Sequence, residues 1–145
     1  MVQKKEMTAD FEQLTYTGEM LKDSWEKQLA VFKKLEKTRI AEYGISNFID
    51  WVLLNKYYSE WLFVSSSMWR LLISMPKPDG KLNYQQTLEI QVDPKTSLFT
   101  MEYSDWDSIN TKSDYEKAIT WKTKCTNIEL VTNFIEFINW NKDWC

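Results

Sequence analysis

The hydrophobic residues of this chain change period near residue 60, and that change restricts the fold more than any other feature. Before it, Phe11, Leu14, Leu21, Trp25, Leu29, Phe32 and Leu35 recur at steps of three, four and seven. Glu12, Glu19, Lys22, Asp23, Glu26, Lys27, Lys33, Lys34 and Glu36 take much of the remaining surface, the pattern of an amphipathic helix over about residues 8–38. Thr8 is placed to cap it and Asp10 to complement its dipole. Gly18, about 1 kcal/mol worse than alanine inside a helix, marks where it can divide in two. The stripe does not keep a strict seven-residue repeat, so a face packed on a domain core is expected rather than a coiled-coil seam. Gly44 then punctuates, and Ser46 is placed to cap a second helix carrying Phe48, Ile49, Val52, Leu53 and Tyr57. A buried strand through Trp51-Val52-Leu53-Leu54 is the alternative for so short an apolar run.

Beyond residue 60 strand formers take over. Trp61-Leu62-Phe63-Val64 and the run from Met68 to Ser74 are separated by Ser65-Ser66-Ser67, read as an exposed turn or strand bend. Pro76-Lys77-Pro78-Asp79-Gly80 reads as a loop. Leu88, Ile90 and Val92 alternate with Glu89, Gln91 and Asp93, and Asp93-Pro94-Lys95-Thr96 has proline at the favoured second position of a turn. Phe99, Met101 and Tyr103 then return on one face, so residues 84–93 are expected to pair antiparallel with 97–103. A slip of one residue would expose all three apolar positions of the first strand, which defines the register. Ile119, Trp121 and Thr123 alternate in a further strand. Thr126 and Glu129 make a capping box that opens a helix to about Trp140, with Ile128, Val131, Phe134, Ile135 and Ile138 expected inward. The expected fold is α+β: N-terminal helices, an antiparallel β-meander of about four strands, and a C-terminal helix packed on the sheet. No linker, repeat or second core divides residues 1–145, so a single domain is expected.

Composition matters most for what it removes. The chain has no histidine, which excludes Ser-His-Asp, Cys-His and His-ligated zinc chemistry. Three glycines leave no phosphate-cradling loop, and GxxxxGK, GxGxxG and GxSxG are absent. Cys125 and Cys145 lack CxxC spacing and read as two free thiols rather than a bridge. Asp105, Asp107 and Asp114 fit no EF-hand spacing. No catalytic residue, metal or cofactor is therefore expected. Lys and Arg total 18 against 21 Asp and Glu, for a formal charge of −3, and just Arg39 and Arg70 could fork onto phosphate. That balance argues against nucleic acid and for a protein partner with a basic surface. The apolar stretches are broken by Asp50, Asn55, Lys56, Glu60 and Arg70, and the first residues are polar, so a cytoplasmic location without a membrane is expected.

Eight tryptophans are spread over the chain. Trp25, Trp69 and Trp121 match the apolar periodicity and are expected in the core. Trp106 lies between Asp105 and Asp107 in a polar segment that also holds Asp114 and Glu116. An aromatic anchor among carboxylates suits a basic protein surface, so these five residues are the candidate partner-binding site. The plainer reading has Trp106 folded over the sheet edge with solvated aspartates. The segment after Trp140, with Trp144, either docks or hangs free.

Taken together, the helical N-terminal half, the meander around 84–103, the strand at 118–124 and the closing helix resemble the small, acidic, Trp-rich α+β immunity proteins of bacterial contact-dependent toxin systems. The resemblance implies a protein that binds one toxin domain and blocks its active site without performing chemistry. The alternatives are a secretion-chaperone-like or adaptor protein holding an effector segment, and an enzyme working with carboxylates alone.

Overall fold

A computed structural model describes residues 15–39, 44–83, 85–106 and 118–144. Helix α1 (Gly18–Leu35) opens on Thr17, whose hydroxyl accepts from the Met20 N–H at 3.2 Å, with Glu19 in its first turn and Lys33 and Lys34 in its last. All three choices complement the helix dipole or its unpaired amides. Leu21, Trp25, Gln28, Phe32 and Leu35 form its buried stripe. The helix begins at Gly18, the expected break point; the expected cap at Thr8 and the segment 8–14 lie outside the described residues.

Residues 45–54 are helical, as favoured over the strand alternative: α2 (Ile45–Leu54) buries Ile45, Phe48, Ile49 and Val52. Its cap differs from expectation. Ser46 lies inside the helix, and the Glu36 carboxylate takes the capping role, accepting from the Gly44 N–H at 2.9 Å and the Ser46 N–H at 3.1 Å. A carboxylate delivered from the preceding helix satisfies two N-terminal amides and meets the positive end of the dipole, which a local serine does less well. Gly44 is required there, since its φ is 115° and an added Cβ would stand 2.5 Å from the Asn127 Cβ. A short helix α3 (Lys56–Ser59) follows.

Five strands then make an antiparallel meander in sequence order: β1 (Phe63–Ser67), β2 (Arg70–Ser74), β3 (Gln86–Val92), β4 (Phe99–Asp105) and β5 (Ile119–Cys125). The expected hairpin is present, with Leu88 opposite Tyr103, Ile90 opposite Met101 and Val92 opposite Phe99. The strand count is five rather than about four. Ser65, Ser66 and Ser67 are not a turn. They belong to β1, and the chain reverses at Met68 and Trp69, because pairing Val64 with Ile73 and Ser67 with Arg70 leaves just those two residues to connect the strands. Polar residues are tolerated on this edge strand because the Ser24 hydroxyl of α1 reaches it, accepting from the Val64 N–H at 3.2 Å.

Val64, Leu71, Ile73, Leu88, Ile90, Phe99, Met101 and Tyr103 share one face of the sheet and join the helix residues in a continuous core. On that face Trp121 meets Phe137 at 5.1 Å, in agreement with its expected place. On the opposite face Arg70 pairs with the nearly buried Glu89 at 2.6 Å. The Thr126–Glu129 capping box forms as expected, with Thr126 N–H and hydroxyl both donating to Glu129 at 2.8 Å. It opens a 3-10 turn (Asn127–Glu129) before helix α4 (Leu130–Trp140). Ile128 and Ile135 were expected inward and are 86% and 38% exposed. The 3-10 turn puts Ile128 out of phase with α4, whose buried face is Leu130, Phe134, Phe137 and Ile138. Trp69, expected in the core, is 49% exposed because it sits in the β1–β2 turn.

Candidate functional site

β4 carries the inward alternation of Met101 and Tyr103 on to Asp105, at the end of the sheet shared with the start of β5. Asp105 stands opposite Gln86, whose amide donates to its Oδ1 at 3.3 Å, and the following Trp106 N–H donates to the Gln85 carbonyl at 2.8 Å. Two hydrogen bonds, to Gln86 at the start of β3 and to Gln85 just before it, thus hold the start of the acidic segment, and both Asp105 and Trp106 are half-buried. Asp107, Asp114 and Glu116 lie outside the described residues.

A change of register between Tyr103 and Ser104, whose partners are Trp121 and Ile119, makes Thr120 the extra residue of a bulge. Bulges bend a strand and re-aim a side chain. Here Thr120 faces an open recess of about 400 Å³ shared with Tyr103, Asp105, Trp140, Lys142 and Asp143. Trp140 and Tyr103 form its aromatic wall, with ring centroids 6.1 Å apart and planes at 73°. The chain after α4 docks rather than hanging free: Asn141 accepts from the Asp143 N–H at 3.2 Å, and Trp144 is fully buried against Tyr103 and Phe137. Docking of this segment brings Asp143 and Lys142 to the recess. Trp140, 48% exposed, and Asp143 were not singled out from the sequence. Trp140 stands three residues after buried Phe137, a spacing that also fits the core.

The same end of the sheet carries a second, more apolar groove between Tyr16, Leu21, Trp61, Met75, Pro76 and Pro78. Beside it Tyr57 and Trp61 stack at 6.4 Å with planes 12° apart, and they are 58% and 49% exposed. Aromatic rings of this size, half in water, are the usual material of protein contacts.

Among the described residues no three His, Cys, Asp or Glu side chains converge as metal ligands, and no helix is long and apolar enough to cross a membrane. Asp105 and Asp143 offer acceptors and negative charge at the recess, beside the Thr120 hydroxyl and the Lys142 ammonium group. Cys125 is 4% exposed, and burial, helped by the Glu129 carboxylate, pushes its thiol up to about 11. A thiol in that state is a packing group, not a nucleophile. Alkylation of Cys125, read by peptide mass mapping at about pH 8, should be negligible in the folded chain and rapid once urea unfolds it. Because folding raises this pKa, its contribution to stability is full below the ordinary thiol value of about 8.5 and is lost as pH rises towards about 11. Equal labelling of the two states would contradict the burial.

No family model matches the chain, and neither the curated proteins nor the solved structures provide a match.

Proposed function

We propose that the chain is a non-catalytic protein-binding module, an immunity protein that binds a cognate toxin domain through the Asp105 end of the sheet. The observation that carries this reading is the open recess whose lining combines Asp105 and Asp143, against one lysine, Lys142, with the half-exposed ring of Trp140. Carboxylates beside an aromatic wall suit a cationic protein surface: the ring supplies contact area and the charges supply attraction. Asp105 is already oriented by Gln86, so little ordering is needed when a partner arrives. A toxin that cleaves nucleic acid must itself present cations to hold phosphates, and an acidic inhibitor can occupy that surface. Trp106 follows Asp105 in the chain, and the proposal extends the contact to Trp106 and, on the sequence alone, to Asp107, Asp114 and Glu116.

The test is co-purification with the product of the gene immediately upstream, followed by binding kinetics. A stoichiometric complex is expected whose association slows as salt rises. Asp105→Asn with Asp143→Asn should mainly slow association, whereas Trp140→Ala and Trp106→Ala should mainly speed dissociation, each costing about 2 kcal/mol. No complex with that product overturns the immunity reading. A complex whose kinetics ignore all four substitutions at low salt overturns the site.

A further inference from the structure

The opposite end of the sheet has a different chemistry. There Met68 and Trp69 alone connect β1 to β2, with φ of 50° and 67°. Two successive positive φ values are normally supplied by Asn-Gly or Asp-Gly, because residues with larger side chains are strained in that region. The strained pair is held outward: Met68 is 83% exposed, and Trp69, 49% exposed, lies under the Arg39 guanidinium at 5.2 Å. Backbone strain retained in an exposed turn points to use of that turn.

Three other segments reach the same end. The last turn of α1 brings Lys33 and Lys34, followed by Lys37 and Arg39. The β3–β4 turn brings Lys95, since Leu71 at the start of β2 faces Ile90 near the end of β3. The end of β5 brings Lys124 and then Ile128, which is 86% exposed. The described carboxylates Glu36, Asp93 and Glu129 are turned to the backbone: Glu36 accepts from Gly44 and Ser46, Asp93 from the Lys95 N–H, and Glu129 from Thr126. The ammonium groups of Lys33, Lys34, Lys37, Lys95 and Lys124 have no partner among the described residues. Among the described residues, this end of an otherwise acidic chain therefore gathers cations, and apolar side chains project beside them.

We propose that this end seats on an anionic bilayer, with Met68, Trp69 and Ile128 at the headgroup boundary and the lysines over the lipid charges. The projections favour a planar surface over a protein pocket. Met68 and Trp69 lie at one edge of the sheet and Ile128 follows the strand at the other edge, so four inter-strand spacings of roughly 4.8 Å separate their strands. A pocket rewards clustered apolar groups, whereas a bilayer accepts separated ones. Tryptophan and lysine both suit the headgroup layer, where an apolar body or stem can be buried while the polar part stays wet. The contact is peripheral and needs no membrane-spanning helix, none of which is found among the described residues. It uses the end of the molecule remote from the Asp105 recess and does not depend on the function proposed for that recess.

The test is sedimentation of the full chain with unilamellar vesicles of phosphatidylcholine and phosphatidylglycerol (about 3:1), against pure phosphatidylcholine, at low salt. Binding should be at least roughly tenfold tighter to the anionic vesicles and should weaken with salt. Each lysine near the surface contributes roughly fivefold, so Lys37→Gln, Lys95→Gln and Lys124→Gln combined should weaken binding on the order of a hundredfold. Met68→Asp and Ile128→Ser, both at exposed positions, should each weaken it severalfold with an unchanged circular dichroism spectrum. Equal binding to both vesicle types overturns the proposal. So does loss in the lysine variant while Met68→Asp and Ile128→Ser bind like wild type, since that is attraction to any polyanion. Soluble poly-glutamate bound as tightly as the vesicles also overturns it, in favour of an acidic protein surface. Complex formation with the upstream gene product, measured without vesicles, should be the same for all these variants.

Discussion

Replacing Trp25 with alanine should destabilise the chain by about 3–5 kcal/mol, the range for emptying a large aromatic site in a packed core. A chain of this size has about 5–15 kcal/mol in all, so the variant should unfold on the order of 10 °C earlier. Trp25 is 0% exposed, meets Phe48 edge-on at 6.3 Å, and donates its indole N–H to the Leu62 carbonyl at 2.8 Å. That hydrogen bond spans 37 residues and joins the middle of α1 to the residue preceding β1. Trp25→Phe separates the two contributions. It keeps most of the ring and leaves the buried Leu62 carbonyl without its donor, for an expected loss of about 1–2 kcal/mol. Urea unfolding of both variants decides the matter. A loss below about 1 kcal/mol for Trp25→Ala would mean that α1 does not pack on the sheet as described.

Trp144→Ala should be comparably severe, at about 3–5 kcal/mol, although the residue lies in a 3-10 turn beyond the closing helix. Its ring is 0% exposed and stands nearly perpendicular to Tyr103 at 5.6 Å and to Phe137 at 5.1 Å. The phenylalanine variant should behave differently from that at Trp25. The Trp144 indole N–H is buried without a hydrogen-bond partner among the described residues, so removing it relieves a desolvated donor and offsets part of the lost ring area. Trp144→Phe is expected within about 1 kcal/mol of wild type. Because Tyr103 and Asp143 also line the recess, Trp144→Ala should weaken partner binding as well. Unfolding at the wild-type urea midpoint would show that the segment after α4 does not contribute to the core.

Local pattern determined those elements whose stabilising contacts lie within a few residues or follow one strict alternation. Leu88, Ile90 and Val92 admit a single buried face, and a turn with Pro94 joins them to Phe99, Met101 and Tyr103, so both the hairpin and its register were legible. The Thr126–Glu129 box was legible because donor and acceptor are three residues apart. The stripe of α1 was legible at Leu21, Trp25, Phe32 and Leu35, which repeat over nearly the whole helix, whereas Gln28 is buried and the expected Leu29 only partly so.

Tertiary structure decided what depended on a distant partner. Three consecutive serines favour a turn locally, yet β2 and α1 hold them in a strand and push the reversal to Met68 and Trp69, where local preference would not put it. Ser46 was a sound local cap until Glu36 arrived from the preceding helix with a carboxylate for the same amides. Ile128 fitted a helical period whose phase the 3-10 turn altered, and Ile135 lies at the margin of the face that Leu130, Phe134, Phe137 and Ile138 bury. The recess itself gathers Asp105, Thr120, Trp140 and Asp143 from β4, β5, α4 and the segment after it, and their spacing along the chain carries no trace of that meeting. Backbone alternation and capping are short-range, so residue order contains them. Which cap wins, which strand end receives the turn and which side chains share a recess are settled by competition among groups far apart in sequence, and that competition takes place only once the helices have packed on the sheet.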